Sequence, residues 1–197
     1  MERNNQITRR EALGRVALLL GGAISAPTLA GVLDAATRRA WMGTQSWTPR
    51  TLSADQVELV AVIAEHLLPA TDTPGARGAG VHRFADVLLT DHYPAEERDR
   101  FLAGLADVDQ RARTRHGTTF VACKPVEQVA ILTTLDEEAF PEGKPTPPEG
   151  WFFHRLKELT LVGYYTSQIG ATEELHVSPF GSYRGDIPYT TVGRAWA

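Results

Sequence analysis

Cysteine is nearly absent from this sequence, because Cys123 is the single thiol among 197 residues. One cysteine cannot form an internal disulfide, so the fold has to rest on the packing of its side chains. The pattern favours a small, buried, apolar role for Cys123 over a reactive thiol. Disulfide-stapled secreted domains are therefore excluded as a class.

Recognisable catalytic and metal-binding motifs are also missing. The six histidines fit no His-Glu-x-x-His or Cys-x-x-Cys pattern, and we interpret them as ordinary surface or core residues. The glycine-rich segment 75–80 follows a helix pattern and a proline, which favours a turn over a phosphate-binding loop. The acidic run 136–138 is interpreted as solvated, and a hydrolase or isomerase built on such carboxylates is disfavoured. We expect no catalytic residue, no cofactor site and no metal site in this chain.

The sequence also lacks an excess of positive charge and a long uninterrupted apolar run. The formal charge is −4 overall, and residues 1–30 carry four arginines and two glutamates, so the remaining residues carry −6. Such a surface argues against nucleic acid or an anionic membrane as the partner. The apolar stretch 16–33 is interrupted by glycines and a proline, and a spanning helix needs roughly 20 predominantly apolar residues.

Two adjacent arginines stand at the N-terminus, ahead of that modest apolar stretch. Arg9 and Arg10 follow Thr8 and precede Leu13. A charged start, a short apolar stretch and small residues after it are typical of a secretory signal, and the paired arginines indicate the twin-arginine (Tat) route, which carries folded cargo. We predict that residues 1–30 are a twin-arginine signal peptide. An amphipathic N-terminal helix and a membrane anchor are the alternatives.

Helical periodicity begins after a polar linker at 31–50 and dominates the domain at 51–197. Ser53 is predicted to cap the first helix, Pro94 to occupy the first position of the third, and Gly117 to end it. The predicted helices cover residues 53–68, 81–93, 94–117, 125–140 and 151–170. Strand-like alternation is absent, so the fold class is all-α, a compact bundle of about five to six helices with irregular, aromatic-rich N- and C-terminal extensions, the tail beginning at about residue 171.

Aromatic residues are concentrated in those extensions and in the last helix. Tyrosine and tryptophan often anchor protein interfaces, although the extensions could equally wrap over the protein's own helices. The candidate partner-interface residues are Trp41, Trp47, Tyr164, Tyr165, Phe180, Tyr183, Tyr189 and Trp196.

In several segments the chain resembles the gluconate 2-dehydrogenase subunit 3 family, the small subunits of membrane-bound sugar and sugar-acid dehydrogenases. The similar segments are the leader at Thr8-Arg9-Arg10 and the blocks 52–81, 125–140, 153–175 and 179–188. Their order and spacing together carry the resemblance.

The resemblance implies a partner and not a catalyst. Small subunits of this family pair with a large FAD-bearing subunit of the glucose–methanol–choline type, often alongside a cytochrome c subunit, and supply the export signal for the pair. It implies a periplasmic or exported location, with any membrane association arising through the complex. A free-standing exported helical binding protein without a flavoprotein partner is the alternative function.

Overall fold

The computed structural model describes residues 47–141 and 146–177, together with the single residues Pro188 and Thr190. Five α-helices run through this part of the chain. They are α1 Ala54–Leu67, α2 Val81–Asp91, α3 Ala95–His116, α4 Pro125–Ala139 and α5 Trp151–Tyr165. Short 3-10 turns at Phe120–Ala122 and Pro148–Gly150 and a π-helical turn at Gly170–Glu174 complete the helical structure. The described residues contain no strand, which confirms the all-α fold.

None of the helices in these ranges combines the length and the apolar character needed to cross a bilayer.

The helix ends follow the local sequence closely. Ser53 Oγ accepts a hydrogen bond from the Gln56 amide at 3.2 Å, and Gln56 Oε1 accepts one from the Ser53 amide at 2.9 Å. This reciprocal pair satisfies two amides that the start of α1 leaves unpaired. Gly117 ends α3 as predicted, with a φ of 74° that favours glycine. Pro94 precedes α3 as its N-cap residue and is not its first helical residue.

The last α-helix is shorter than the sequence predicts. We expected it to continue to residue 170, but α5 ends at Tyr165. Ser167 Oγ accepts the amide hydrogen of Gly170 at 2.9 Å, so this amide bonds to a side chain and not to a backbone carbonyl. The chain then makes the π-helical turn Gly170–Glu174. The tail predicted to be irregular from about residue 171 therefore begins with a helical turn.

Helix α5 lies at the centre of the bundle and contacts each of the other four α-helices. Its side chains Phe153, Leu156 and Leu159 are almost completely buried. Gly163 brings α5 close to α2, because a Cβ atom at this position would lie 2.7 Å from Cδ1 of Phe84. The most aromatic helix of the sequence is thus the core element around which the others pack.

Candidate partner interface

The solvent-facing side of α4 carries apolar side chains. Val126 is 73% exposed, Val129 is 49% exposed, and Phe140, directly after the helix, is 43% exposed. With Thr133 and Asp136 these residues recur every three or four positions, so they follow a single stripe along the helix. An exposed apolar stripe of this kind is a candidate protein-binding surface.

A groove runs beside this stripe, where α4 meets α1 and α5. The groove has a volume of about 190 Å³ and includes Leu67 of α1, Val129 and Leu132 of α4, and Lys157 of α5. Lys157 crosses it, because its Nζ lies 2.7 Å from Oδ1 of Asp136 and 4.6 Å from the centre of the Phe140 ring. The lysine stem therefore extends the apolar surface from α4 to α5.

Leu161 continues this surface along α5. It follows Lys157 by one helical turn, which places the two side chains on the same side of the helix, and it is 38% exposed. We call Val126, Val129, Phe140 and Leu161 the apolar face. Within the described residues, they are four of the five large hydrophobic side chains that are exposed, the fifth being Val177.

A positively charged depression borders the apolar face at the start of α5. The guanidinium carbon of Arg100 lies 4.7 Å from the centre of the Trp151 ring, and that of Arg155 lies 5.6 Å from it. These two arginines and Trp151 line a cavity of about 320 Å³. We call the three residues the basic notch.

The two arginines of the notch differ in how their charge is compensated. Arg155 Nη1 donates to Oε2 of Glu158 at 2.6 Å. Arg100 donates to the carbonyl oxygen of Pro148, and no carboxylate in the described ranges lies within 4.0 Å of its guanidinium. Among the residues that the structure describes, the guanidinium of Arg100 is thus left without a carboxylate partner.

His154 connects the notch to the apolar face. It lines the notch cavity, and its ring centre lies 5.4 Å from that of Phe140. Burial, and then the nearby charge of Arg155, lower the pKa of His154 below its usual value. The neutral imidazole at pH 7 makes the junction between the two surfaces uncharged.

A third cavity, of about 290 Å³, lies between α3, α4 and the start of α5. Arg111 lines this cavity and donates to both carboxylate oxygens of Glu138, at 2.8 and 2.9 Å, and to Asp107 at 2.7 Å. These hydrogen bonds raise the pKa of Arg111. The sequence-based interpretation of Glu138 as simply solvated is wrong, because α3 and α4 pack side by side and bring the two charges together. The arginine is fully engaged within the protein.

Two of the histidines and the cysteine contact neighbouring groups of the protein or are buried in it. His66 Nε2 lies 2.7 Å from Oε1 of Gln128, and burial lowers the pKa of His82 to about 4. Cys123 is free and buried, as the sequence predicts, and burial raises the pKa of its thiol. No group of three or more histidine, cysteine, aspartate or glutamate side chains is arranged to hold a metal ion within the described ranges.

The point where the predicted linker meets the domain is held by Asp86 of α2. This carboxylate is fully buried and accepts hydrogen bonds from the amides of Arg50, Thr51 and Leu52 at 3.0, 2.9 and 2.8 Å. Nearby, the side chain of Arg50 pairs with Asp91 at 2.6 Å. The start of the domain is therefore fixed to α2.

Trp47 also lies against α2. The Trp47 and His82 rings pack edge to face, with their centres 5.8 Å apart, and the guanidinium carbon of Arg83 lies 5.6 Å from the centre of the Trp47 ring. Trp47 was expected at a partner interface, but in the isolated chain it is partly covered by its own domain.

The two candidate tyrosines of α5 differ from each other. Tyr164 is only 4% exposed and donates its hydroxyl hydrogen to the carbonyl oxygen of Pro74 at 3.0 Å. It belongs to the protein's own core and is not a surface residue, because α5 turns this side chain towards the loop at 69–80. Tyr165 is half-buried and packs edge-on against Tyr164 at 5.2 Å.

The remaining predicted residues lie outside the described part of the chain. They are the export-signal residues Thr8, Arg9, Arg10 and Leu13 and the candidate interface residues Trp41, Phe180, Tyr183, Tyr189 and Trp196.

Sequence reasoning missed the apolar face itself. The available signal was the composition of α4, which has apolar side chains at Val126 and Val129 as well as at the buried Ile131, Leu132 and Leu135. This is more than one helix face can bury in a small bundle. A search for surplus apolar positions on each helix would have found it.

Comparison with known proteins places the chain in a family. A family model described as Gluconate 2-dehydrogenase subunit 3 matches residues 54–183, a range that contains all five α-helices, the apolar face and the basic notch. No curated protein matches the chain, and no solved structure does. The match identifies the chain as a subunit of a dehydrogenase complex.

Proposed function

Because the chain belongs to the gluconate 2-dehydrogenase subunit 3 family, we propose that it is the non-catalytic small subunit of an exported dehydrogenase. The catalytic partner is a large, FAD-bearing subunit of the glucose–methanol–choline type that oxidises a sugar, sugar acid or glycoside, and a cytochrome c subunit can join the complex. The observation that carries the proposal is the family match over residues 54–183, which leaves the paired arginines of the leader ahead of the subunit domain.

The place where FAD is inserted explains why the small subunit would carry the export signal for both subunits. In this proposal FAD is inserted into the large subunit in the cytoplasm, so that subunit crosses the membrane already folded. Arg9 and Arg10 supply an address for such a route. Asp86 ties residues 50–52 to α2, so the folded domain is already fixed at the end of the predicted linker. The pair is thus exported together on the signal of the small subunit.

A stabilising role accompanies export. The apolar face gains favourable free energy when it leaves water, roughly 25 cal/mol for each Å² of apolar surface buried. The aromatic residues of the extensions, such as Trp41, Tyr183 and Trp196, are proposed to add contacts to the same partner. The large subunit is more stable in the pair than alone.

Replacing the paired arginines tests the export role. In the double variant Arg9→Lys/Arg10→Lys we expect the large subunit to accumulate in the cytoplasm, because lysine keeps the charge but loses the planar guanidinium. The chain offers a matched control, since Thr37-Arg38-Arg39 repeats the same tripeptide. Arg38→Lys/Arg39→Lys should leave export intact. Cell fractionation followed by flavin and activity measurements on each fraction gives the result.

If the large subunit were found in the periplasm of the Arg9→Lys/Arg10→Lys strain, its export would not depend on the leader of the small subunit. If this chain also reached the periplasm with no flavoprotein bound to it, the alternative of a free-standing helical binding protein would stand in its place.

A further inference from the structure

We propose that the large flavin-bearing subunit docks on the apolar face and inserts a carboxylate side chain into the basic notch. This inference rests on the proposed function and identifies the surface through which the two subunits recognise each other. The matching surface on the partner is an apolar patch with an aspartate or glutamate at one edge.

The apolar face and the basic notch together resemble a protein–protein interface in composition. Tight interfaces have an apolar centre, and their strongest contacts are enriched in tryptophan and arginine. His154 links the two surfaces here, because its ring packs against exposed Phe140 and it lines the notch cavity together with Trp151. One partner surface can therefore cover both.

The charge of the notch defines what it accepts. Arg155 is already paired with Glu158 at 2.6 Å, whereas Arg100 lies against the Trp151 ring at 4.7 Å and is hydrogen-bonded to a backbone carbonyl. A guanidinium has five N–H donors, so Arg100 keeps donors for a carboxylate, which a guanidinium can bind with two parallel hydrogen bonds. The notch therefore suits a carboxylate better than an amide or a cation.

Charge also disfavours two other occupants of this surface. Two copies of this chain would bring together two domains that each carry −6 outside residues 1–30, and like net charges oppose association. The chain's own C-terminal segment, residues 178–197, has two arginines and one aspartate, so its side chains do not complement a basic notch.

Charge-changing variants test the docking surface with the full chain and the purified large subunit. We expect Val129→Glu and Arg100→Glu each to weaken association at least tenfold. Val177→Glu is the control for the first variant, since Val177 is similarly exposed at 43% and lies outside the apolar face. Arg113→Glu is the control for the second, since it stands 13 residues further along α3, a distance of about 20 Å. Both controls should bind within twofold of the parent chain.

A salt titration isolates the carboxylate contact. Association of the parent chain should weaken as ionic strength rises, and Arg100→Gln should bind more weakly at low salt and show a flatter salt dependence. An unchanged salt dependence in Arg100→Gln would overturn the carboxylate assignment.

The outcomes separate this inference from the function on which it rests. If the parent chain does not bind the large subunit at all, the proposed function fails. If the parent chain binds and Val129→Glu and Arg100→Glu bind equally well, the docking surface is wrong. An isolated chain that is dimeric, and that Val129→Glu makes monomeric, would show a second copy on this face and overturn the inference. A large drop in the melting temperature of the isolated Val129→Glu chain would also overturn the inference. It would indicate that the chain's own C-terminal segment covers the apolar face.

Discussion

At the scale of single residues, the structure depends on a buried carboxylate. Asp86 is fully removed from solvent, and burying a charge costs several kcal/mol unless hydrogen bonds compensate it. Here three successive backbone amides, those of residues 50–52, point at its two oxygens. The compensation comes from the segment where the predicted linker ends, so one side chain couples the start of the domain to the core.

Replacing this carboxylate should cost stability. Asp86→Asn keeps the shape but removes the charge and places an amide donor where a backbone donor already points. We expect a loss of about 2 kcal/mol in the free energy of unfolding, the typical value for hydrogen bonds to a charged group. Chemical denaturation of the full chain measures it.

Asp91→Asn serves as the matched control on the same helix. Asp91 pairs with Arg50 at the surface, where both side chains are more than 40% exposed, and such pairs contribute less than about 1 kcal/mol. Equal losses in the two variants would contradict the special role of Asp86.

At the scale of helices, α5 decides the architecture of the described domain because α1, α2, α3 and α4 all pack against it. Gly163 is the closest point of this packing, since a side chain there would meet the Phe84 ring of α2. Gly163→Ala should therefore destabilise the protein by about 1–3 kcal/mol through overpacking, even though alanine is the better helix former.

A second substitution tests whether the ring is the cause. In Gly163→Ala/Phe84→Leu the smaller side chain makes room for the added methyl group, so the double variant should lose less stability than the sum of the two single variants. Thermal unfolding of the four proteins gives the coupling energy. Additive losses would show that the Gly163 effect does not come from the α2–α5 contact.

The helices could be predicted from the sequence because their signals are local. The Ser53 cap, the Gly117 stop and the periodic apolar residues between them depend on a few neighbouring side chains. The rotation of each helix is a property of the whole bundle and could not be predicted in the same way. For this reason Tyr164 was placed at the surface although it is buried, and the exposure of Val126 and Val129 was missed.

The end of α5 and the clamp at Asp86 were beyond local prediction for a related reason. Tyr165 is followed by a turn because Ser167 bonds to Gly170, and periodicity alone does not register such a bond. Asp86 lies more than 30 residues from the amides that it binds, and sequence spacing carries no signal for that contact.

At the scale of the whole molecule, the surfaces of the described domain that remain available for binding are the apolar face and the basic notch. The charge pair Arg111–Glu138 and His66 are engaged within the protein, while the apolar face and the basic notch are open to a partner. A family of dehydrogenase subunits explains this distribution, since the proposed chemistry takes place on the large subunit. In the proposed complex the small subunit provides a docking surface and an export signal.

The flavin content of material captured through this chain tests the account most directly. The full chain, carrying a C-terminal affinity tag, is purified from the periplasmic fraction of its native host, and its visible spectrum and the masses of its partners are measured. We predict about one FAD for each small subunit, bound to a single large subunit, and a flavin spectrum that bleaches when the sugar or sugar-acid substrate is added. Capture of this chain without a flavoprotein, or a flavin that stays on this chain after the large subunit has been removed, would contradict the account.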